Sequence, residues 1–207
     1  MNINTFPTKG NLILCKSSLA LASQGYALMD KKRNILIREL TGLVEEAKDI
    51  QSEINTTYQA AYQALQRANI EMGISNVQDI SRTIPLEDSI KLKYRSIMGT
   101  DIPLVEWEQK PMTLRYAYNN TRESIDQARL YFEKVKALTI RLAMVENSAY
   151  RLAANIRKTQ KRANALKNIT IPMYSGLVKQ ISSALEEKDR EEFTRLKVVK
   201  RQKESGS

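Results

Sequence analysis

The stretch MDKKRNILIRELTGLVEEAKDI, residues 29–50, decides the fold of this chain. Its apolar residues recur at alternating steps of three and four, a spacing that places them along one side of a helix. The same phase extends in both directions, from Leu12 to Ala68, and fifteen of its seventeen positions are apolar. A surface helix of a globular domain drifts out of a 3.5-residue period over such a length, so the spacing predicts a supercoiled helix.

The first predicted helix has no strong internal stop. The alternative is two ordinary helices joined near Gly42, but a glycine costs only about 1 kcal/mol in a helix interior. That cost is too small to end a stripe that keeps its phase on both sides. At about 1.5 Å per residue, the stripe predicts a helix on the order of 85 Å long.

A matching stripe runs from Ile125 to Leu177, where thirteen of sixteen positions are apolar and the other three are threonines. Pro172 lies inside it. Because the stripe keeps its phase across Pro172, we expect the helix to continue with a kink rather than to stop. Two long helices from one chain predict a mainly α fold, a long antiparallel two-stranded coiled coil of the N- and C-terminal helices.

The predicted coiled-coil core consists of the larger apolar side chains on the two stripes. They are Leu12, Leu19, Met29, Leu36, Leu40, Leu43, Ile50, Ile54, Phe132, Leu142, Val145, Leu152, Ile156, Leu166, Met173 and Leu177.

The connector between the helices has strand-like periodicity. Apolar and basic residues alternate over residues 89–98, and a turn at Gly99-Thr100-Asp101 leads to a second apolar stretch, residues 102–107. Pro103 limits that second strand to an edge of the sheet. These features predict a β-hairpin in a small connector head.

We therefore divide the chain into four parts. An N-terminal coiled-coil helix is expected over residues 1–72, a small head with the hairpin over 73–117, a C-terminal coiled-coil helix over 118–203, and a frayed tail over 204–207.

The net charge of +10 is concentrated at the two ends of the chain. Residues 1–44 carry +4 and residues 157–207 carry +7, while the middle is close to neutral. If the ends lie together, they form a positive pole that suits an acidic protein surface, anionic lipid or nucleic acid. Nucleic acid is disfavoured, because aromatic residues are not interleaved with the basic ones and residues 186–192 are largely acidic.

Residues for catalysis or metal binding are scarce. The chain has no histidine, and its one cysteine, Cys15, falls on the apolar stripe as a structural thiol would. The acidic run of residues 186–192 is interleaved with Lys188 and Arg190, which favours a solvated helix face over a metal site. No phosphate-binding loop is present. We expect no catalytic residue, cofactor or metal. No unbroken apolar run approaches the roughly 18 residues of a membrane span, which predicts a cytoplasmic protein.

Three stretches resemble one family. They are PTKGNLILCKSSLALASQGYALMDKKRNILIREL (residues 7–40), RANALKNITIP (162–172) and LEEKDREEFTRLKVVK (185–200). Together, and in this order, they resemble the D subunit of the V-type and A-type rotary ATPases, also called ATP synthases.

The resemblance implies a non-catalytic central-stalk rotor subunit, which transmits torque between the catalytic hexamer and the membrane ion-translocating ring. The implied partners are the catalytic and non-catalytic ATPase ring subunits, the F subunit and the membrane rotor socket subunit. The implied location is the cytoplasmic face of a membrane, without direct insertion. Pro172 would then bend the shaft and help to make it eccentric.

Two sets of residues become candidate contacts under this resemblance. Basic candidates for facing the ATPase ring are Lys9, Lys16, Lys31, Lys32, Arg33, Arg157, Lys158, Lys161 and Arg162. Candidates for partner contact in the head are Ile90, Leu92, Tyr94, Ile102, Leu104 and Trp107.

A coiled-coil chaperone or scaffold of the prefoldin type is the alternative, because such chains also carry a hairpin between two long helices. Chaperones of that kind clamp clients at free helix tips, which favours exposed apolar residues at the chain ends. Here the ends mix basic residues with a stripe of the buried type.

Overall fold

The computed structural model describes residues 6–107, residue 116 and residues 121–205. The predicted mainly α fold with a small antiparallel hairpin is confirmed. In chain order the elements are α1 (Lys9–Met72), α2 (Ile74–Arg82), β1 (Lys91–Ile97), β2 (Thr100–Glu106), α3 (Glu123–Ala165), a π-helical turn (Leu166–Thr170) and α4 (Ile171–Ser205).

Both ends of α1 are set by local chemistry. At the start, the Thr8 hydroxyl accepts a hydrogen bond from the backbone N–H of Asn11 at 3.2 Å, which caps the helix. At the end, Gly73 adopts a φ of +83°, a conformation that costs little only for glycine. The Asn76 amide donates to the Met72 carbonyl at 2.8 Å and satisfies one of the groups left free where α1 stops.

The chain forms two compact units, which we call the terminal unit (residues 1–34 and 157–207) and the central unit (residues 35–156). In the terminal unit, the ammonium of Lys167 lies 5.9 Å from the ring centre of Tyr26. The Arg33 guanidinium donates to the Gln160 side-chain oxygen at 3.0 Å. Later residues of α1 thus meet earlier residues of the C-terminal helix, so the two helices are antiparallel.

The central unit holds the three largest fully buried side chains of the described part of the chain, namely Leu36, Leu152 and Val145. Ile50 and Ile54 of α1 pack with Val145 of α3, surrounded by partly buried apolar neighbours. A second cluster joins Ala68 of α1, Val77 of α2 and Ile125 of α3, so α2 folds back onto the helix pair. Between these clusters the Tyr62 ring packs edge-on against Phe132, with ring centres 5.7 Å apart.

The hairpin turns one residue earlier than the sequence indicated. The turn consists of Met98 and Gly99, both with positive φ, and Ile97 pairs with Thr100. A two-residue turn of this kind matches the right-handed twist of the strands. The predicted Gly99-Thr100-Asp101 turn is therefore wrong in position, because the glycine that signalled it occupies the second place of the turn rather than the first.

The C-terminal helix continues through Pro172, but a wider turn precedes the proline. The Ile171 N–H donates to the Leu166 carbonyl, five residues back instead of four. Proline has no N–H to offer to the carbonyl of Asn168, so the regular pattern is already broken at this point. A π turn adds one residue and shifts the phase of the residues that follow it.

This shift explains the one error among the sixteen predicted core residues. Met173 is 38% exposed, and Tyr174 takes the half-buried position that we had assigned to Met173. The buried members are Leu36, Ile50, Ile54, Val145 and Leu152; the half-buried ones are Leu12, Leu19, Met29, Leu40, Leu43, Phe132, Leu142, Ile156, Leu166 and Leu177.

Candidate interaction surfaces

The basic candidates lie mostly on the outside of the terminal unit. The exposed ones are Lys9, Lys16, Lys31, Arg157, Lys158, Lys161 and Arg162, and Lys32 is half-buried. Seven exposed cations on one helix pair create a positive potential that attracts acidic surfaces over several ångströms.

Arg33 differs from the other candidates because its half-buried side chain already has partners within the helix pair. Its guanidinium forms an ion pair with Asp30 at 2.7 Å and donates to Gln160 at 3.0 Å on the opposite helix. Arg33 lies on the stripe of α1 that faces the C-terminal helix, which we call the inner stripe. From there its long side chain reaches across the helix interface. Arg33 therefore links the two helices.

The outer face of α1 carries a second apolar stripe that the sequence reading missed. Leu14, Leu21 and Leu28 are spaced seven residues apart, and Leu21 is 71% exposed. A strict seven-residue repeat keeps one row of side chains facing a partner helix, as in a coiled coil. The signal was present in the sequence but lay beside the stronger inner stripe. Exposed apolar residues in a row mark a contact surface.

The same leucines raise the apolar character of α1. An 18-residue window of this helix has a mean hydropathy of 1.2, so α1 is long and apolar enough to span a membrane, judged by length and composition alone. The core helix of a soluble protein and a signal sequence meet the same criterion of length and composition.

In the head, β2 lies on α3, and no described strand pairs with the outer edge of β1. The Arg151 guanidinium donates to the Asp101 carbonyl at 3.0 Å, and the Val105 N–H points to the Met144 sulfur at 3.5 Å. Backbone groups of alternate residues point to opposite edges of a strand, so residues 101 and 105 direct theirs away from β1. Pro103 lies between them, where its missing N–H costs no bond to β1.

The head candidates differ in exposure. Leu92 and Tyr94 on β1 are 61% and 60% exposed, Ile90 and Leu104 are also exposed, and Ile102 and Trp107 are half-buried. The Arg151 guanidinium stacks over the Tyr94 ring at 5.4 Å, which fixes that ring without burying it. Ile90, Leu92 and Tyr94 share one face of the hairpin, whereas Ile102 and Leu104 pair with Arg95 and Lys93 and lie on the other face.

A polar cluster anchors the segment before β1. The Glu87 carboxylate accepts hydrogen bonds from the Ser89 hydroxyl and N–H and pairs with Lys136 at 3.1 Å. The Ser89 bonds and then the Lys136 bond lower the pKa of Glu87 from 4.5 to about 2. Partial burial opposes the charge of Lys136, but the hydrogen bonds that its ammonium donates to Glu133 and Glu87 raise its pKa overall. The Lys136 ammonium also lies 5.4 Å from the ring centre of Trp107.

An apolar cavity of about 410 Å³ lies beside this cluster. Its walls come mainly from α2, α3 and residues 84–87, with Leu65 of α1 and Tyr116 also lining it. The Tyr116 hydroxyl donates to the Asp126 carboxylate; burial first, and then that bond, raise the pKa of the phenol. The Glu87 carboxylate, which also lines the cavity, is paired with Lys136.

Metal and nucleophile chemistry find no support in the described part of the chain. Across residues 6–107, 116 and 121–205, no three His, Cys, Asp or Glu side chains come together in a way that could hold a metal ion. Cys15 is buried on the inner stripe. The features that stand out are surfaces: a basic helix pair with an outer leucine stripe, and a hairpin with one open edge. They define a class of helical-hairpin protein that works through contacts with other chains.

Comparison with known proteins identifies the family. The sequence model of the ATP synthase D subunit matches residues 11–201. The chain is 43% identical to the D subunit of the V-type ATP synthase of Thermotoga neapolitana, over 94% of its own length and 96% of that relative. It is 37% and 36% identical to the D subunits of the A-type ATP synthases of Thermococcus sibiricus and Pyrococcus abyssi, in each case over 94% of this chain and 92% of the relative. The chain belongs to the family of ATP synthase D subunits.

Proposed function

We propose that this chain is the non-catalytic rotor shaft of a V/A-type ATP synthase, turning inside the ring of catalytic and non-catalytic subunits. The observation that carries the proposal is the family match over residues 11–201, combined with a paired-helix terminal unit whose outer face is apolar and basic. The family match leaves no support for the prefoldin-like alternative.

The terminal unit suits the role of the part inside the ring. Its inner stripe holds two helices together, while Leu14, Leu21 and Leu28 offer an apolar outer seam on α1. Smooth apolar contact and long-range charge attraction both tolerate rotation, whereas deep interlocking of side chains would resist it.

The exposed basic residues are proposed to be attracted by acidic loops of the ring. Neutralising Lys31, Arg157, Lys158, Lys161 and Arg162 together should lower the torque and make the rotor stall under smaller loads. Arg33 is left intact because it links the helices. Normal torque in the five-fold variant would refute this part of the proposal.

At the membrane side, the head is proposed to hold the F subunit and the socket subunit. The open edge of β1 and the exposed Leu92 and Tyr94 provide backbone groups and apolar area for a partner chain. Replacing both side chains by serine should weaken binding of the F subunit by tenfold or more. The matched control is Ile70→Ser, an exposed apolar residue on α1 outside the hairpin.

Direct observation of rotation tests the shaft role. The chain is assembled with ring subunits, and a bead is attached at an engineered cysteine, Ser75→Cys, in a Cys15→Ala background. Ser75 is exposed on α2. ATP should drive stepwise rotation of the bead. A bead that stays still while the ring hydrolyses ATP would overturn the proposal.

Pro172 is proposed to shape the shaft so that it presents different faces to the catalytic sites. The π turn before it is the feature that departs from a straight, regular helix. Pro172→Ala should reduce the coupling between hydrolysis and rotation. Unchanged coupling would exclude this role for the proline.

A further inference from the structure

The last five turns of α4 extend beyond the helix pair. Ile181 is buried at 3% and Leu185 is half-buried, but every side chain from Glu186 to Glu204 is exposed. Phe193 and Leu196 are among these exposed residues. Val198 and Val199 are exposed as well, but Phe193 and Leu196 share one helix face and form an apolar contact point that no described residue covers.

Acidic residues precede Phe193 and Leu196 along their helix face, and basic residues follow them. Steps of three and four along one helix face join six residues, which we call the C-terminal stripe. They are Glu186, Asp189, Phe193, Leu196, Lys200 and Lys203. In chain order the C-terminal stripe has two acidic, two apolar and two basic residues. The charges at its end are therefore opposite to the charges at its start.

We propose that the free chain pairs with a second copy of itself through the C-terminal stripe, with the two helices antiparallel. This arrangement brings Glu186 of each copy near Lys203 of the other and Asp189 near Lys200. Phe193 then packs against Leu196 of the other copy. The contact is isologous, because the same patch serves both chains about a two-fold axis.

Orientation follows from the charges. A parallel pair would place acid against acid and base against base along the same face, which repels. An antiparallel pair replaces every one of those repulsions with an attraction. Within α4, Lys200 pairs with Glu204 at 3.7 Å, but this ion pair is solvent-exposed and offers little competition.

The size of the stripe predicts a weak and reversible dimer. One helix face of 18 residues buries less than the roughly 1,200 Å² found in stable interfaces. Association should therefore appear only at tens to hundreds of micromolar, and salt should weaken it by screening the exposed pairs. No ring subunit is involved, so the inference does not depend on the rotor role.

Sedimentation equilibrium of the full chain tests the pairing. Wild type should dimerise at low salt, and Lys200→Glu/Lys203→Glu should raise the dissociation constant at least tenfold. The control, Arg195→Glu/Arg201→Glu, makes the same change in net charge on the other side of the helix and should stay within threefold of wild type. Circular dichroism checks that each variant is folded.

Mixing variants gives the sharper result. Glu186→Lys/Asp189→Lys alone should be monomeric, yet mixed with Lys200→Glu/Lys203→Glu it should form a mixed dimer, because their stripes complement each other. Mixed with the Arg195→Glu/Arg201→Glu control it should not. A monomeric wild type at the highest concentration, equal weakening of both double variants, or no mixed dimer would each overturn the proposal.

Cross-linking fixes the orientation. In a Cys15→Ala background, chains with Glu186→Cys mixed with chains carrying Lys203→Cys should form a disulfide between the two kinds of chain. Faster linkage of two Glu186→Cys chains would indicate a parallel pair and would contradict the arrangement.

Discussion

The two units fill the space between their helices with side chains of different size. The terminal unit buries Cys15, Ala22, Thr159, Ala163 and Ile181, most of them small. The three largest fully buried side chains all lie in the central unit. Because the free energy of burial follows apolar area, the central unit gains more from its own packing. The terminal unit buries few large apolar side chains, and Leu14, Leu21 and Leu28 on its outer face stay exposed, where another chain can cover them.

The largest expected effect is in the central core. Leu152→Ala should lower the free energy of unfolding by about 2–5 kcal/mol, because Leu152 is fully buried and its loss leaves a cavity. Urea denaturation followed by circular dichroism measures this. Leu177→Ala, at a half-buried site of the terminal unit, is the matched control and should cost clearly less. Equal losses of unfolding free energy in the two variants would contradict the proposed difference in packing between the units.

The second prediction concerns the register of the terminal unit. Pro172→Ala should leave the free energy of unfolding unchanged or raise it by about 1 kcal/mol, since the new N–H can donate to a helix carbonyl. Pro172→Gly restores the same N–H but adds backbone freedom, so it should be about 1 kcal/mol less stable than the alanine variant. Urea denaturation of both variants provides the measurement.

A clear loss of stability in Pro172→Ala would mean that the π turn depends on the proline and that the regular helix packs poorly. In a regular helix Met173 would take the place of Tyr174 at the interface. A scalar coupling across the hydrogen bond of the Ile171 amide distinguishes the two registers, because that N–H donates to the carbonyl of Leu166 in the π turn and to that of Lys167 in a regular helix.

The sequence was sufficient where one periodic signal dominated. The inner stripe predicted the long helices and their pairing. It was insufficient where two rules competed. A proline predicts a broken hydrogen bond, but whether the helix responds with a kink or an added residue depends on packing, and Met173 was misplaced for that reason.

The surface candidates show the same limit. Basic residues can be counted in a sequence, but Arg33 turned inward because its neighbours on the opposite helix accept its hydrogen bonds. The outer leucines share their spacing with the inner stripe, so only the paired structure tells which stripe is covered. In the hairpin, alternation predicted strands but gave no information on which edge lies on α3.

The third prediction is a pH effect in the central unit. The pKa of Glu87 is lowered to about 2 in the fold, so its stabilising contribution is complete above about pH 4.5 and is lost as the pH falls toward about 2. Trp107 is the only tryptophan and lies against Lys136, so its fluorescence should report the loss.

Glu87→Gln should abolish that fluorescence transition. The control is Glu106→Gln, which removes a hairpin carboxylate that pairs with Lys93. This variant should keep the fluorescence transition. A transition that persists in Glu87→Gln would assign the effect to another carboxylate. The terminal unit holds no tryptophan, so the signal reports the central unit alone.

The smallest expected effect compares one link between the helices in each unit. In the central unit, Arg141 donates to Glu46 at 2.7 Å, and both side chains are exposed. A double-mutant cycle to alanine should give a coupling of about 0.2–1 kcal/mol that falls as salt rises. In the terminal unit, Arg33 donates to the uncharged Gln160 in a partly buried position. The coupling free energy between Arg33 and Gln160 should depend less on salt, because Gln160 carries no charge. If both couplings fall equally with salt, the Arg33 link behaves as a surface ion pair with Asp30, and the terminal helices are joined by apolar packing alone.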